Sequence, residues 1–197
     1  MDRTIAFFDF DGTITTDETM FVFLRYLKGN ILYYPYLLTL IPIFIALKLG
    51  ILSNHRAKEI MLIRFIGGMK EQDLINACKQ FSQNILPGII RPAALTRIRE
   101  HQQKGTEVVV VSAAPTYWVS EWCSQQQIQL IATNLEVKDG LLTGCIEGKN
   151  CHGPEKVRRI REAFNLSRYL TIYAYGDTEG DQPMLSIAHQ AQYKPFR

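Results

Sequence analysis

The stretch Phe7-Phe8-Asp9-Phe10-Asp11-Gly12-Thr13 is the most informative part of this 197-residue sequence. The apolar run from Ile5 to Phe8 predicts a buried strand, and two carboxylates one residue apart follow it before a Gly-Thr turn. Residues i and i+2 of a strand point to the same face, so Asp9 and Asp11 would repel each other as two buried anions. Two exposed aspartates at a strand end are the alternative. The apolar strand before the pair and the turn after it favour a site that holds a cation or a proton.

A second strand end offers a partner for these carboxylates. The run from Glu107 to Ser112 contains four consecutive valines, which predict a central parallel strand that is buried on both faces and that Ser112 closes. Ligands of open parallel sheets bind outside the carboxyl ends of the strands. We therefore expect Ser112 to lie near Asp9 and Asp11.

Two later segments add a cation and more carboxylates. Pro154 predicts the first position of a helix, which places Lys156 in its opening turn. A lysine there opposes the helix dipole, a cost that is easier to explain if it binds an anion; a solvated lysine is the alternative. After the predicted strand 171–175, the segment Gly176-Asp177-Thr178-Glu179-Gly180-Asp181 brings Asp177 and Asp181 to a strand end.

Carboxylates without histidine or cysteine companions suit a hard cation, and Mg²⁺ suits phosphate chemistry best. Serine and lysine donors suit a phosphoryl group. In this order and spacing, the motifs resemble those of the haloacid dehalogenase-like phosphohydrolase superfamily, in particular its phosphoserine-phosphatase-like branch. The resemblance covers nearly the whole chain and rests on four motifs: Asp9-Phe10-Asp11-Gly12-Thr13, Val111-Ser112, Glu155-Lys156, and Gly176-Asp177 with Asp181.

The resemblance implies a role for each of these residues. Asp9 would be the nucleophile that becomes an aspartyl-phosphate, and Asp11 the general acid and then the general base. Ser112 and Lys156 would bind the phosphoryl oxygens and stabilise their growing charge. An aspartate at position 11 points to a phosphate ester as the bond that is cleaved.

The resemblance also implies a Mg²⁺ site. Its ligands would be the Asp9 carboxylate, the Asp11 main-chain carbonyl and the Asp177 carboxylate, with Asp181 acting through water or orienting the other ligands.

Two departures leave the substrate open. Phosphoserine phosphatases typically follow the motif serine with Gly-Gly-Phe, whereas residues 112–115 read Ser-Ala-Ala-Pro, and Gly180 replaces an asparagine. Glu18 matches the position of their amino-group ligand, and Phe10 and Ala113 would be phosphate-binding neighbours. The expected substrate is a small phosphorylated metabolite related to phosphoserine, or a lipid phosphate such as phosphatidylglycerophosphate.

Two other functions are compatible with the sequence. A phosphotransferase or mutase could use the same residues, and it would return product phosphorylated at a new position. A membrane- or partner-binding protein with a vestigial site is the other alternative, which the intact set of motif residues disfavours.

Composition agrees with one enzyme domain plus an insertion. A net charge of +3 is too small and too dispersed to predict nucleic-acid binding. The four cysteines form no C-x-x-C pair, so reduced thiols in a cytoplasmic protein are expected. Because Met1-Asp2-Arg3 runs directly into the first strand, we expect no signal peptide.

The pattern of strands and helices predicts an α/β fold, a doubly wound, Rossmann-like parallel sheet with an inserted α-helical cap. Helices are expected at 91–104 and 116–126, with Trp118 and Trp122 as core residues. A strand at 130–133 and a hairpin of 135–137 with 142–146 around Asp139-Gly140 follow. The catalytic core is predicted at 1–15 and 86–197 and the cap at 16–85. The last cap helix places four apolar side chains on one face: Leu74, Cys78, Phe81 and Ile85.

The cap contains an uncharged segment, residues 29–47. A single membrane span is disfavoured, because it would put Asp9 and Ser112 on opposite sides of the bilayer. We expect a helix pair broken at Pro35 or Pro42 that forms cap core, lies in a membrane interface or self-associates. A similar apolar cap occurs in the phosphatidylglycerophosphatases of this branch. A membrane contact would make the protein peripheral on the inner face of the membrane.

Overall fold

A computed structural model describes residues 3–197. Met1 and Asp2, on which the expectation of no signal peptide depends, lie outside the described residues. The strands are β1 (Arg3–Phe8), β2 (Glu107–Pro115), β3 (Gln129–Lys138), β4 (Leu141–Glu147), β5 (Tyr169–Gly176) and β6 (Gln190–Tyr193). The helices are α1 (Thr19–Thr39), α2 (Ile41–Lys48), α3 (Asn54–Ile66), α4 (Glu71–Asn84), α5 (Pro92–Gln103), α6 (Thr116–Gln125), α7 (Pro154–Ala163) and α8 (Gln182–Ser186).

The six strands form one sheet in the order β4-β3-β2-β1-β5-β6. All neighbours are parallel except β3 and β4, which form the predicted antiparallel hairpin. At the carboxyl end of β1, Phe8 is in register with Val110 of β2 and Tyr175 of β5. The motifs that follow these strands therefore meet at one edge of the sheet, and the predicted α/β fold is confirmed.

The sheet is buried on both faces. Ala6 and Phe8 of β1 pack into one apolar cluster with Trp118 of α6, whereas Ile5 and Phe7 pack into a second cluster on the other face. The valines of β2 alternate between the clusters in the same way. Each large apolar side chain that is fully buried contributes about 1.5–3 kcal/mol, so β1 and β2 form a rigid base for the residues beyond their ends.

Most predicted element boundaries agree with the structure to within one residue, and two expectations were wrong. Ser112 does not close its strand: the chain stays extended to Pro115, which pairs with Thr133 after a shift in register. Strand 130–133 and the first hairpin strand are one continuous strand, β3, with an irregularity between Leu135 and Val137. In both places extended backbone continues because a neighbouring strand supplies hydrogen bonds.

Helices α1 to α4 lie between β1 and α5, in the range predicted for the cap. On α4, Leu74, Cys78 and Phe81 are buried as predicted, and Ile85 just beyond its end is half-buried. Phe23 of α1 stacks on Trp118 at a centroid distance of 4.7 Å. The division into core and cap at residues 16 and 85 stays a prediction.

The uncharged segment is a bent pair of helices. Gly29 interrupts α1 with a φ of 65°, Pro35 lies inside α1, and the pair breaks at Leu40, just before Pro42 in the first turn of α2. Of the two predicted break positions, Pro35 and Pro42, the structure agrees with Pro42, because proline is favoured at the start of a helix. Among residues 3–197, no single helix has the length and apolar composition to cross a membrane; α1 and α2 reach both only together, and they are bent by 50°.

The pair does not form cap core along its whole length. Within the segment, Tyr33 and Leu40 are buried, but many of the large apolar side chains face solvent. The expectation of plain cap core is wrong for this face, because no element within residues 3–197 covers it. Six exposed side chains of the segment, together with Leu49 and Ile51 just after α2, form what we call the apolar cap surface: Ile31, Leu32, Tyr34, Leu38, Ile41, Ile45, Leu49 and Ile51.

Candidate active site

Asp9 and Lys156 form a buried ion pair at the carboxyl edge of the sheet. Asp9 directly follows β1, and its main-chain N–H donates to the Tyr175 carbonyl over 2.9 Å. Lys156, 1% exposed in the first turn of α7, donates to Asp9 Oδ1 over 2.5 Å and to Asp181 Oδ1 over 2.6 Å. The predicted lysine in an opening helical turn thus contacts two carboxylates, and the solvated alternative is wrong.

The pKa values reflect this concentration of charge. Burial raises the pKa of Asp9 to about 8, and the positive charge of Lys156 offsets only part of this effect. Burial opposes the charge on Lys156, but Asp9 and Asp181 outweigh it and raise the lysine pKa. Lys156 therefore compensates only in part for the burial of the Asp9 carboxylate.

Asp9, Asp177 and Asp181 have carboxylate oxygens that all lie within 4.8 Å of one another. Thr13 Oγ1 donates to Asp177 Oδ1 over 3.1 Å, and Arg197 contacts the other oxygen of Asp177. Three convergent carboxylates without soft ligands suit Mg²⁺.

Asp181 mainly orients its surroundings. Its Oδ2 accepts from the main-chain N–H groups of Asp177 over 3.1 Å and Thr178 over 2.9 Å, and from Thr178 Oγ1 over 2.9 Å. Burial works against the charged form, but Lys156 and the Thr178 hydrogen bonds lower the pKa of Asp181. With one oxygen occupied in this way and the other on Lys156, Asp181 fixes the loop that carries Asp177.

Two glycines allow the backbone to approach the carboxylates closely. A Cβ on Gly12, whose φ is 75°, would lie 2.5 Å from Asp177 Oδ2. A Cβ on Gly176 would lie 2.5 Å from Asp181 Cβ. Both positions require glycine for this packing, and the first also requires it for its backbone conformation.

Asp11 connects the site to the cap. Its Oδ1 accepts from Thr19 N–H over 2.9 Å and from Thr19 Oγ1 over 2.6 Å, at the first residue of α1. Burial raises the pKa of Asp11, and the two Thr19 hydrogen bonds act in the opposite direction. Through Asp11 the catalytic loop and the first cap helix share two hydrogen bonds.

The remaining predicted residues divide between the cavity and the core. Ser112 is buried, its Oγ accepts from the main-chain N–H of Ala114 over 2.9 Å, and Ala113 lies beside it at the cavity. Glu18 is exposed at the cavity wall. Phe10 is fully buried and packs against Trp122, so its ring belongs to the core and faces no ligand.

A cavity of about 440 Å³ opens beside these residues and is shared between core and cap. Seven of the site residues that the sequence predicts line this cavity: Asp9, Asp11, Glu18, Ser112, Ala113, Lys156 and Asp181. The cap adds eight further residues to its wall: Met20, Phe21, Phe44, Leu47, Asn54, Ala57, Lys58 and Met61. Asp177 lies behind this cavity, against Gly12 and Thr13.

Lys58 is a site residue that the sequence reasoning missed. It is buried in α3, and its Nζ donates to the Ala113 carbonyl over 2.8 Å and to Asn150 Oδ1 over 3.2 Å. Burial lowers the pKa of Lys58, and the negative charges of Asp11 and Glu18 oppose that shift. A usable signal was present, because Lys58 shares a helix face with Met61 and Leu62, where an apolar residue is expected.

His152 is the second missed residue, and it explains one departure from the family pattern. It lines the cavity, and its Nε2 would lie 2.2 Å from a Cβ placed on Gly180. Gly180, which stands where phosphoserine phosphatases carry asparagine, therefore leaves room for an imidazole. Burial, followed by the positive charges of Lys156 and Lys58, lowers the pKa of His152.

Comparisons with known proteins identify the family and the fold. A profile of haloacid dehalogenase-like hydrolases matches residues 6–186. Protein CicA of Caulobacter vibrioides is 34% identical over 192 residues, which cover 96% of this chain and 85% of CicA.

Two solved structures share the fold. A protein of unknown function from Bordetella pertussis Tohama I has a TM-score of 0.85 at 23% identity and covers 97% of this chain and 89% of its own. A phosphoserine phosphatase with an analogue of a phospho-aspartyl intermediate has a TM-score of 0.70 at 20% identity, with 97% and 86% covered. The chain belongs to the haloacid dehalogenase-like hydrolase family.

Proposed function

We propose that this protein is a Mg²⁺-dependent phosphomonoester phosphatase that acts through an aspartyl-phosphate. The observation that carries the proposal is the convergence of Asp9, Asp177 and Asp181 around Lys156 at the edge of the sheet. Buried charges are rare in protein cores unless they are paired or coordinate a metal. Lys156 contacts two of these carboxylates and Arg197 contacts the third, so two cations face three carboxylates and a divalent cation would complete the charge balance.

The residues present fit a magnesium ion. Asp9 and Asp177 would hold it through carboxylate oxygens and Asp11 through its main-chain carbonyl, with Asp181 behind them. Gly12 and Gly176 keep the backbone close to these carboxylates, where a side chain would intrude. When bound, Mg²⁺ neutralises the charge that develops on the phosphoryl oxygens.

The side chains can divide the chemistry between two steps. A carboxylate oxygen of Asp9 attacks phosphorus and forms the new P–O bond, while the bond to the leaving alcohol breaks. Asp11 donates its proton to the leaving oxygen. In the second step Asp11 takes a proton from water, the water oxygen attacks phosphorus, and the bond to Asp9 breaks to release phosphate.

Ser112 and Lys156 flank the nucleophile from two neighbouring elements, β2 and α7. We assign them to the phosphoryl oxygens, where a hydroxyl donor and a fixed ammonium group stabilise the transition state more than the ground state. Lys58 approaches the same space from the cap. Because Lys58 also holds the Ala113 carbonyl, it joins the cap to the segment that carries Ser112.

The substrate is a small phosphorylated metabolite or a lipid phosphate. The cavity suits both, because charged groups lie at its base and apolar cap residues such as Phe21, Phe44 and Leu47 form another part of its wall. A phosphotransferase or mutase on the same residues remains the alternative reaction. The two differ in product: the phosphatase releases stoichiometric phosphate, whereas the transferase returns a new phosphate ester.

The test is phosphate release from a panel of phosphomonoesters, including phosphoserine and phosphatidic acid, by wild type and Asp9→Asn. The amide cannot form an acyl-phosphate, so this variant should be inactive while its thermal unfolding stays cooperative. Asp139→Asn, the same change in the exposed β3–β4 turn, is the matched control and should keep full activity. An Asp9→Asn variant with more than about a tenth of wild-type activity contradicts the proposal, since a lost nucleophile costs far more.

A further inference from the structure

We infer that the apolar cap surface docks onto a lipid bilayer that carries anionic headgroups. The first observation is its composition. Large apolar side chains that are exposed concentrate here: eight of the thirteen found among residues 3–197 belong to this surface. Single exposed apolar residues are ordinary, but a concentration of this kind marks an interaction site.

The shape of the segment suits an interface rather than a span. On α1, Ile31, Tyr34 and Leu38 recur at helical spacing, and on α2, Ile41 and Ile45 do the same. The two helices meet at 50°, so the pair cannot cross a bilayer as one straight helix. A helix that is apolar on its outer face and anchored to a folded domain by its inner face can insert to the depth of the headgroups.

Charge identifies the partner. Between Glu18 and Glu59 the sequence contains no acidic residue, but it contains five basic ones: Arg25, Lys28, Lys48, Arg56 and Lys58. Lys58 is buried at the active site and Arg56 pairs with Glu59 over 2.9 Å, which leaves Arg25, Lys28 and Lys48 to interact with the surroundings. Lys28 and Arg64 both lie over the Tyr36 ring, at 6.0 and 4.5 Å from its centroid. Each cation near an anionic surface strengthens binding about fivefold.

The same charges disfavour a second copy of the chain as the partner. A two-fold symmetric dimer would bring identical patches together and place like charges near one another. Anionic lipid satisfies both the apolar side chains and the cations around them.

The docking surface is continuous with the active-site cavity. Helix α2 carries Ile41 and Ile45 on the apolar cap surface, and its Phe44 and Leu47 line the cavity. A bilayer in contact with α2 would therefore lie at the cavity wall. This last step rests on the proposed function, whereas docking itself does not.

The experiment measures co-sedimentation of the full chain with vesicles of phosphatidylcholine plus phosphatidylglycerol, and with vesicles of phosphatidylcholine alone. Wild type should bind the anionic vesicles, and added salt should weaken this binding because it screens the cations. The variant Leu38→Gln, Ile41→Gln, Ile45→Gln should bind about a hundredfold more weakly, since three apolar anchors are lost. Leu170→Gln is the matched control: Leu170 is 64% exposed and Leu38 63%, but Leu170 lies on β5, and its loss should leave binding unchanged.

Hydrolysis of a small soluble phosphomonoester distinguishes a failure of the docking proposal from a failure of the proposed function. It should be equal in the triple variant and wild type, because the substituted side chains are exposed and lie outside the catalytic residues. Wild type that stays in the supernatant with both kinds of vesicle overturns the docking. So does wild type that is dimeric by light scattering and becomes monomeric in the triple variant, which would identify a second copy as the partner. Vesicle binding without phosphate release from any monoester supports the docking and overturns the proposed function instead.

Discussion

The carboxyl edge of the sheet and the outer face of α1 and α2 break the usual pattern of burial in opposite ways. The first buries charged groups, and the second exposes apolar side chains. At the sheet edge, Asp9 and Lys156 are 6% and 1% exposed although both can be charged. On the cap, Ile31 is 88% exposed although it is apolar. Each arrangement costs stability in the isolated molecule, since a buried charge needs a partner and an exposed apolar side chain gains nothing from folding.

The two departures have different causes. The buried charges are held by contacts within the chain: Lys156 binds Asp9 and Asp181, and Thr178 binds Asp181. The side chains of the apolar cap surface face solvent from helices whose inner residues, such as Phe23, pack on the core. Buried charges that are paired within the chain indicate a site for chemistry. Apolar side chains that are left exposed indicate a surface that binds another molecule.

The largest expected effect lies at the link between the two regions. Asp11→Asn should lower kcat by about 10²–10⁴, because the amide can neither donate the proton nor accept it back. The Asn oxygen can still accept from Thr19, so the free energy of unfolding should change little, whereas Asp11→Ala should lose about 1 kcal/mol of helix capping as well. Steady-state kinetics and urea denaturation measure the two effects. An Asn variant that turns over at the wild-type rate would remove Asp11 from acid–base catalysis.

Stability should distinguish the inner and outer faces of the same helix. Phe23→Ala removes a fully buried ring that stacks on Trp118 and contacts Phe81 at 5.2 Å, and should cost about 3–5 kcal/mol. Leu38→Gln, on the exposed face, should change the free energy of unfolding by no more than about 0.5 kcal/mol. Urea titration in the absence of lipid gives both values. A large loss in Leu38→Gln would mean that the outer face is packed, and the comparison would fail.

A pH effect on stability should come from the core beneath the sheet edge. His101 is buried against Tyr175, 2.8 Å from its hydroxyl, and burial followed by the charges of Arg97 and Lys104 lowers the pKa of His101 from 6.5 to about 4. The folded chain therefore keeps a neutral imidazole where the unfolded chain takes up a proton. The stability contribution is complete above pH 6.5 and falls as the pH drops towards 4, by about 3 kcal/mol in total.

The variant His101→Gln isolates this contribution, because it keeps a polar side chain that does not titrate. Between pH 7 and pH 5, wild type should lose about 2 kcal/mol more than the variant, measured by chemical denaturation. Parallel losses in the two proteins would show that His101 does not titrate differently in the folded and unfolded chains.

The last prediction concerns the metal ligands. Asp177→Ala should raise the Mg²⁺ concentration needed for half activity by at least about tenfold, and Thr13→Val, which removes only the hydrogen bond to Asp177, should raise it by a smaller factor. Excess chelator should abolish activity, and Mg²⁺ should restore it better than Ca²⁺, which takes more ligands. Full turnover in chelator would exclude the proposed metal site.

The sequence alone determined the sheet and the order of the motifs. The apolar run before Asp9, the four valines before Ser112 and the Asp139-Gly140 turn are local signals, because strand burial and turn geometry depend on a few neighbouring residues. Parallel strands that end at one edge then bring their carboxyl-terminal residues together. For this reason the partnership of Asp9, Lys156 and Asp181 was predictable from residues far apart in the chain.

The tertiary structure decided what depends on packing between distant segments. Lys58 and His152 line the cavity because the cap and the β4–α7 connection fold over it, and the ring of Phe10 is buried because it packs against Trp122. The sequence of an apolar helix does not show whether another element buries its apolar face or leaves it exposed to solvent. The exposure of Leu38 and Ile45 follows from which elements lie beside α1 and α2, and residue spacing contains no information about that.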